Sequence, residues 1–239
     1  MSNETVSNRK IAKIVGALFI LGTAAGILSR VFTGSILSDP NYLIKVTENQ
    51  NQIVIGSLLV LIMGFSLAMM SVVLFPILKK YNEILALGSV VFRGALEAII
   101  YIAIVISWLL LLTVGQEYVK AGAPDASHFQ ALGTLLLKAS YQIGFILDIV
   151  FSLGALMIYY VFYQSKLIPG WLSVWGLIGA ILYLTSGLFD MFDVNLAILE
   201  VPLGLQEMVL AVWLIVKGFS PSAIAYLSNK TNTGKGGKK

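Results

Sequence analysis

Residues 196–216 read LAILEVPLGLQEMVLAVWLIV and are apolar except for Glu200, Gln206 and Glu207. A helix needs about 20 such residues to cross a hydrocarbon core about 30 Å thick. An ionisable group at that depth is costly, about 2.5 to 3.5 kcal/mol on insertion scales, unless other groups hold it inside a helical bundle. The stretch therefore predicts a membrane span that carries a buried acid.

Five further apolar runs give six predicted spans: about residues 11–32, 52–78, 84–114, 131–163, 171–189 and 196–217. Of the 239 residues, 58% are hydrophobic and 12% charged, against about 45 to 50% and about 25% in soluble domains. A soluble fold is excluded, and so is a transmembrane barrel, because no segment alternates apolar and polar residues. We predict an all-α membrane protein with one six-helix domain, residues 1–219, and a disordered basic cytoplasmic tail, residues 220–239.

Basic residues in the loops and at the span ends next to the termini are distributed unevenly, and Lys and Arg accumulate in cytoplasmic loops. Eleven lie on the side of the two termini, and only Lys45 and Lys120 lie on the other. Both termini are therefore predicted to be cytoplasmic. Residues 33–51 and 115–130 are predicted to be the longer outer loops, and the net charge of +4 does not indicate nucleic-acid binding.

Three more ionisable residues, Arg93, Glu97 and Asp148, lie deep within the predicted spans. At about 1.5 Å per helical residue, Arg93 and Glu207 lie about 13 and about 15 Å from the cytoplasmic ends of their spans. Glu97 and Asp148 lie nearer the outer side, at about 20 and about 22 Å, and Glu200, at about 25 Å, lies close to the outer headgroups. Arg93 should be paired with Glu207, or else with Asp148.

Helical spacing adds polar neighbours to these groups. In the fourth span, Tyr141, Gln142 and Asp148 lie on one stripe, which must face protein or water. Gln206 and Ser186 could complete the hydrogen bonding. The candidate buried polar cluster comprises Arg93, Glu97, Tyr141, Gln142, Asp148, Gln206 and Glu207.

Two interpretations of this cluster remain open. In the first, a buried ion pair with the other acids protonated serves only to fix helix packing. In the second, function depends on the surplus of carboxylates over basic groups. Three deep carboxylates face one arginine, and a surplus carboxylate in a low dielectric should be protonated or bind a cation. Proton relays and ion-coupled carriers use that chemistry.

Enzymatic sites are not expected in this chain. The single histidine, His128, lies in a predicted loop, and cysteine is absent, so neither a metal site of the usual His or Cys type nor a Ser-His couple can be built within the bilayer. Asp148 is the only aspartate at depth, since Asp190 and Asp193 read as a solvated turn. No nucleotide-binding glycine loop occurs. We predict no catalysis, no metal and no cofactor.

Two strings carry a family resemblance: LIPGWL at 167–172 followed by WGLIG at 175–179, and QEM at 206–208 followed by AVWLIVKGF at 211–219. With RKIA at 9–12 and GALFI at 16–20, they resemble the prokaryotic membrane-protein family catalogued as domain of unknown function 4386. The resemblance implies a six-helix protein of a prokaryotic cytoplasmic membrane and no established activity. It places Gln206 and Glu207 inside a recognisable string.

Two functions are consistent with the sequence. The first is binding, and by extension transport, of a small cation, a proton-coupled solute or a polar headgroup in a central polar cavity. The alternative is a non-catalytic structural or accessory subunit of a larger membrane complex. The expected partners are the lipid bilayer with a small solute or ion in the first case and a membrane protein in the second, and nucleic acid in neither.

Overall fold

A computed structural model describes residues 3–121 and 126–226, and side chains from Ser7 onward. Over this part of the chain the structure is helical, without strands. The helices are α1 (Asn3–Leu37), α2 (Tyr42–Glu48), α3 (Gln50–Leu78), α4 (Glu83–Ser89), α5 (Glu97–Ala121), α6 (Ala126–Ser165), α7 (Gly170–Asp190) and α8 (Val201–Val216). A π-helical segment, Val90–Leu96, joins α4 to α5, and a 3-10 turn, Ala197–Glu200, precedes α8.

Six helical segments in the described residues are long and apolar enough to cross a membrane, which confirms the predicted number. They are Ser7–Leu37, Gln50–Leu78, Glu83–Ala121, Ala126–Ser165, Gly170–Asp190 and Ala197–Val216. The protein is therefore a multi-pass helical membrane protein.

The two predicted outer loops are shorter than expected. Residues 33–51 contain the end of α1 and the whole of α2, because Leu43 and Val46 are apolar residues three apart that this helix buries. At 115–130, α5 continues to Ala121 and α6 begins at Ala126, since polar residues such as Gln116 and Glu117 are good helix formers outside the membrane. Residues 122–125 lie outside the described part.

Local signals explain several helix ends. Asn82 caps α4, its side-chain oxygen accepting a hydrogen bond from the backbone N–H of Leu85 at 3.1 Å. Gly218, with φ of +76°, follows the end of α8, as glycine commonly does, and its N–H bonds to the carbonyl of Trp213 at 3.1 Å. Residues 221–226 are helical, and the rest of the predicted tail, 227–239, lies outside the described residues.

The chain divides into two compact units: a first unit of residues 1–20, 67–96 and 148–239, and a second of residues 21–66 and 97–147. In the second unit, α2 packs against α5 at Gly115, where a β-carbon would lie 2.7 Å from the carbonyl oxygen of Leu43. Its core contains Ile36, Leu37, Leu43, Val46, Ile53 and Leu111. The first unit contains the polar site.

Candidate functional site

An ion pair between Arg93 and Glu207 forms the centre of the polar site in the first unit. Arg93 Nη2 donates to Glu207 Oε1 at 2.8 Å, which confirms the pairing predicted from depth. The side chains are only 1% and 11% exposed. Arg93 lies in the π-helical segment, and such segments often occur at functional sites because they change the direction of a side chain.

Aromatic rings complete the environment of the arginine. The guanidinium carbon lies 4.0 Å from the ring centre of Phe151 and 5.8 Å from that of Phe19. A desolvated contact of this kind contributes about 2 kcal/mol. Gly154 permits the approach, because a β-carbon there would lie 2.9 Å from the backbone nitrogen of Arg93. The cation thus contacts the Glu207 carboxylate and an apolar, polarisable shell.

Gln206 and Tyr159 add buried polar groups beside the pair. Gln206 Nε2 donates to the carbonyl of Leu172 at 3.0 Å, which ties α8 to the start of α7. The ring of Tyr159 packs on Gly176, where any β-carbon would overlap it. Neither the Tyr159 hydroxyl nor Gln206 Oε1 makes a hydrogen bond of standard geometry with another described residue. A fully buried hydroxyl and amide oxygen therefore adjoin the ion pair.

Asp148, Asp190 and Glu200 form a second group in the first unit, the acidic cluster. One carboxylate oxygen from each lies within 4.8 Å of the others, and none of the three residues is exposed. Ser186 Oγ donates to Glu200 Oε1 at 3.0 Å. Gly187 allows α7 to approach α6 here, because a β-carbon at this position would lie 2.8 Å from Cβ of Asp148.

The chemistry of the acidic cluster follows from charge and distance. Carboxylates this close repel one another, and a cation bound between them would remove that repulsion. Oxygen ligands bind Ca²⁺ at 2.3 to 2.6 Å, so two oxygens on one ion lie at most about 4.6 to 5.2 Å apart. The observed spacing fits that limit.

The predicted site residues separate into groups. Arg93, Gln206 and Glu207 come together. Asp148 lies instead in the acidic cluster, and Glu97 is fully buried at the start of α5, in the second unit. Tyr141, 52% exposed, and Gln142, also exposed, are not buried as predicted. The reason is that helical period shows which residues share a face, but not how far neighbouring helices cover that face.

Sequence reasoning missed two members of the acidic cluster. Asp190 was expected in a solvated turn, yet it is the last residue of α7, and Glu200, counted as close to the outer headgroups, is the last residue of the 3-10 turn. A short connection between the fifth and sixth spans brings the two together. The short connection with its acidic residues was the sequence feature that could have predicted the cluster.

Comparison with known proteins identifies the family. The sequence model described as Domain of unknown function (DUF4386) matches residues 14–218. The chain belongs to this family. The matched range of this DUF4386 protein includes all residues of the ion pair and the acidic cluster. No curated protein and no solved structure was found to match it.

Proposed function

We propose that this DUF4386 protein binds a small inorganic cation, with Ca²⁺ the best fit, at the acidic cluster of Asp148, Asp190 and Glu200. The observation that carries the proposal is the convergence of three carboxylate oxygens within 4.8 Å at the ends and interior of membrane spans. Hard carboxylate ligands favour Mg²⁺, Ca²⁺ and Mn²⁺. Mg²⁺ fits less well, since it demands near-ideal octahedral geometry and is usually bound through one or two carboxylates rather than three.

The ion pair supports the choice of the acidic cluster, because it shows that Glu207 has a partner of its own. Glu207 is paired with Arg93, whereas the carboxylates of Asp148, Asp190 and Glu200 converge on one another, as the ligands of a bound cation do. Carboxylates bind a cation in their deprotonated form, so proton release on cation binding is part of the proposal. We place the protein in the cytoplasmic membrane of a prokaryote, which the family resemblance supports.

The test is binding to the purified, full-length protein in detergent. Titration with Ca²⁺, Mg²⁺ and Na⁺ is followed by calorimetry and by thermal unfolding. At a concentration 100 times the dissociation constant, a bound ion stabilises the folded protein by about 2.7 kcal/mol. We expect that stabilisation for Ca²⁺, with protons released into a weakly buffered solution.

Asp148→Asn and Glu200→Gln should abolish the Ca²⁺ effect while the protein remains folded. Glu117→Gln is the matched control, because Glu117 is an exposed acid paired with Lys120 at 2.8 Å. If no cation stabilises the protein, or if the control loses the effect equally, the site is not a cation site. The accessory-subunit alternative is then favoured, and obligatory co-purification with another membrane protein would support it.

Binding and transport are separate properties of such a site. Reconstitution in liposomes with a pH-sensitive dye inside distinguishes them. A Ca²⁺ gradient that changes internal pH in the wild type, and not in Asp148→Asn, would indicate cation and proton exchange. A silent dye together with intact calorimetric binding would indicate a binding role alone.

A further inference from the structure

A cleft of about 860 Å³ opens where α6 ends, α7 begins and α8 ends. It belongs entirely to the first unit, and it contains no residue of the ion pair or the acidic cluster. Its apolar lining includes Leu167, Ile168 and Phe219, each at most 6% exposed. The cleft is formed by the ends of three candidate membrane spans, and span ends are where a membrane–water boundary is expected.

The lining of the cleft favours an anion. It includes the exposed Lys166 and Lys217, and none of its thirteen residues is acidic. It also includes Gly170, the first residue of α7, where the helix dipole and unbonded N–H groups attract negative charge.

Arg9 neutralises the negative carboxyl end of α8 beside the cleft. The carboxyl end of α8 also lines the cleft, and its free carbonyls would repel an anion. Arg9 Nη2 donates to the carbonyl of Val216 at 2.6 Å and to that of Ile215 at 3.3 Å. The negative end of α8 is therefore occupied by a cation, and the positive end of α7 remains.

Lys166 has a backbone conformation that its side chain does not favour. Its φ is +55°, and its N–H bonds to the carbonyl of Phe162 at 3.1 Å, the ending that usually carries glycine. Within residues 3–121 and 126–226 the other non-glycine residue with positive φ is Asp193, a type that tolerates this region. Strained residues cluster at ligand sites, and here a lysine occupies the position where glycine would be more stable.

We propose that this cleft binds the headgroup of an acidic phospholipid. The lipid phosphate would lie between Lys166, Lys217 and the start of α7, and its apolar part would contact the buried floor of the cleft. The volume falls within the usual range for small-molecule sites, about 300 to 1,000 Å³. Basic pockets between helix ends are known to select such headgroups.

The experiment is native mass spectrometry of the full chain in detergent, titrated with phosphatidylglycerol and, separately, with phosphatidylcholine. Each lysine should contribute about fivefold to the preference for the acidic lipid, so the wild type should prefer it by about thirtyfold. Lys217→Ala should reduce the preference about fivefold. Lys166→Gly should do the same and raise the melting temperature, because glycine adopts positive φ without strain.

Lys79→Ala is the matched control, since Lys79 is an exposed lysine of the first unit that lies outside the cleft. An equal loss of preference in this variant would mean unspecific attraction and would overturn the proposal, as would equal binding of the two lipids. Glycerol phosphate is added as a soluble competitor. If it displaces the lipid at equal concentration, the cleft is a site for soluble phosphate esters rather than lipid.

Discussion

Removing Glu207 and removing Arg93 should each lower the free energy of unfolding. Only the loss caused by removing Arg93 should depend on pH. The two charges are 2.8 Å apart and almost completely buried. Leaving one partner of such a pair uncompensated costs about 3 to 5 kcal/mol. Glu207→Gln retains a neutral hydrogen-bond acceptor worth about 0.5 to 1.5 kcal/mol, so we expect a net loss of about 2 to 4 kcal/mol. Arginine cannot release its proton, and this loss should not change with pH.

Arg93→Gln leaves a carboxylate, which can take up a proton instead. A glutamic acid side chain in water titrates near pH 4.3, so protonating it at pH 7 costs about 3.7 kcal/mol at 1.36 kcal/mol per pH unit. The folded variant then binds one more proton than its unfolded chain, and lowering the pH stabilises it. Between pH 7.5 and pH 5.5 the loss should shrink by about 2.7 kcal/mol.

Equilibrium unfolding in mixed micelles at those two pH values measures both effects, each relative to the wild type. The double variant should recover about 2 kcal/mol of the summed losses, within the range for residues in contact. Lys120 and Glu117 form the control pair: their atoms are also 2.8 Å apart, but the side chains are 70% and 49% exposed, and their coupling should stay below about 1 kcal/mol. Additive losses within about 0.5 kcal/mol, or the same pH response in both single variants, would refute the reasoning.

Two further predictions concern topology and alkaline stability. Because the chain has no cysteine, Lys120→Cys and Lys79→Cys can be labelled singly in cells, and we expect an impermeant reagent to reach only residue 120 from outside; labelling of residue 120 from the cytoplasm would contradict the predicted orientation. Burial raises the pKa of Tyr81, which donates to the carbonyl of Ala223 at 3.0 Å, to about 12. Its contribution to stability is therefore complete below about pH 10 and is lost as the pH rises towards 12, so the wild type should lose melting temperature more steeply than Tyr81→Phe above pH 10. Parallel curves for the two proteins would exclude this role for Tyr81.

The tertiary structure was needed for the acidic cluster and for Lys166. Asp190 and Glu200 are polar residues at the ends of spans, which in sequence resemble solvated positions. Only the geometry of the connection and the close approach at Gly187 bring their oxygens to Asp148. The positive φ of Lys166 and the cleft beside it have no sequence signature, because lysine at the end of a membrane helix is common.

The sequence by itself determined the six spans and favoured Glu207 over Asp148 as the partner of Arg93. The thickness of the bilayer imposes a length on every span, so counting residues from the ends gives depth, and charges at equal depth tend to pair. It did not determine which faces neighbouring helices cover, as the exposed Tyr141 and Gln142 demonstrate. Burial depends on contacts between distant segments, whereas hydrophobic pattern and helical period are local properties, and only the folded chain combines the two.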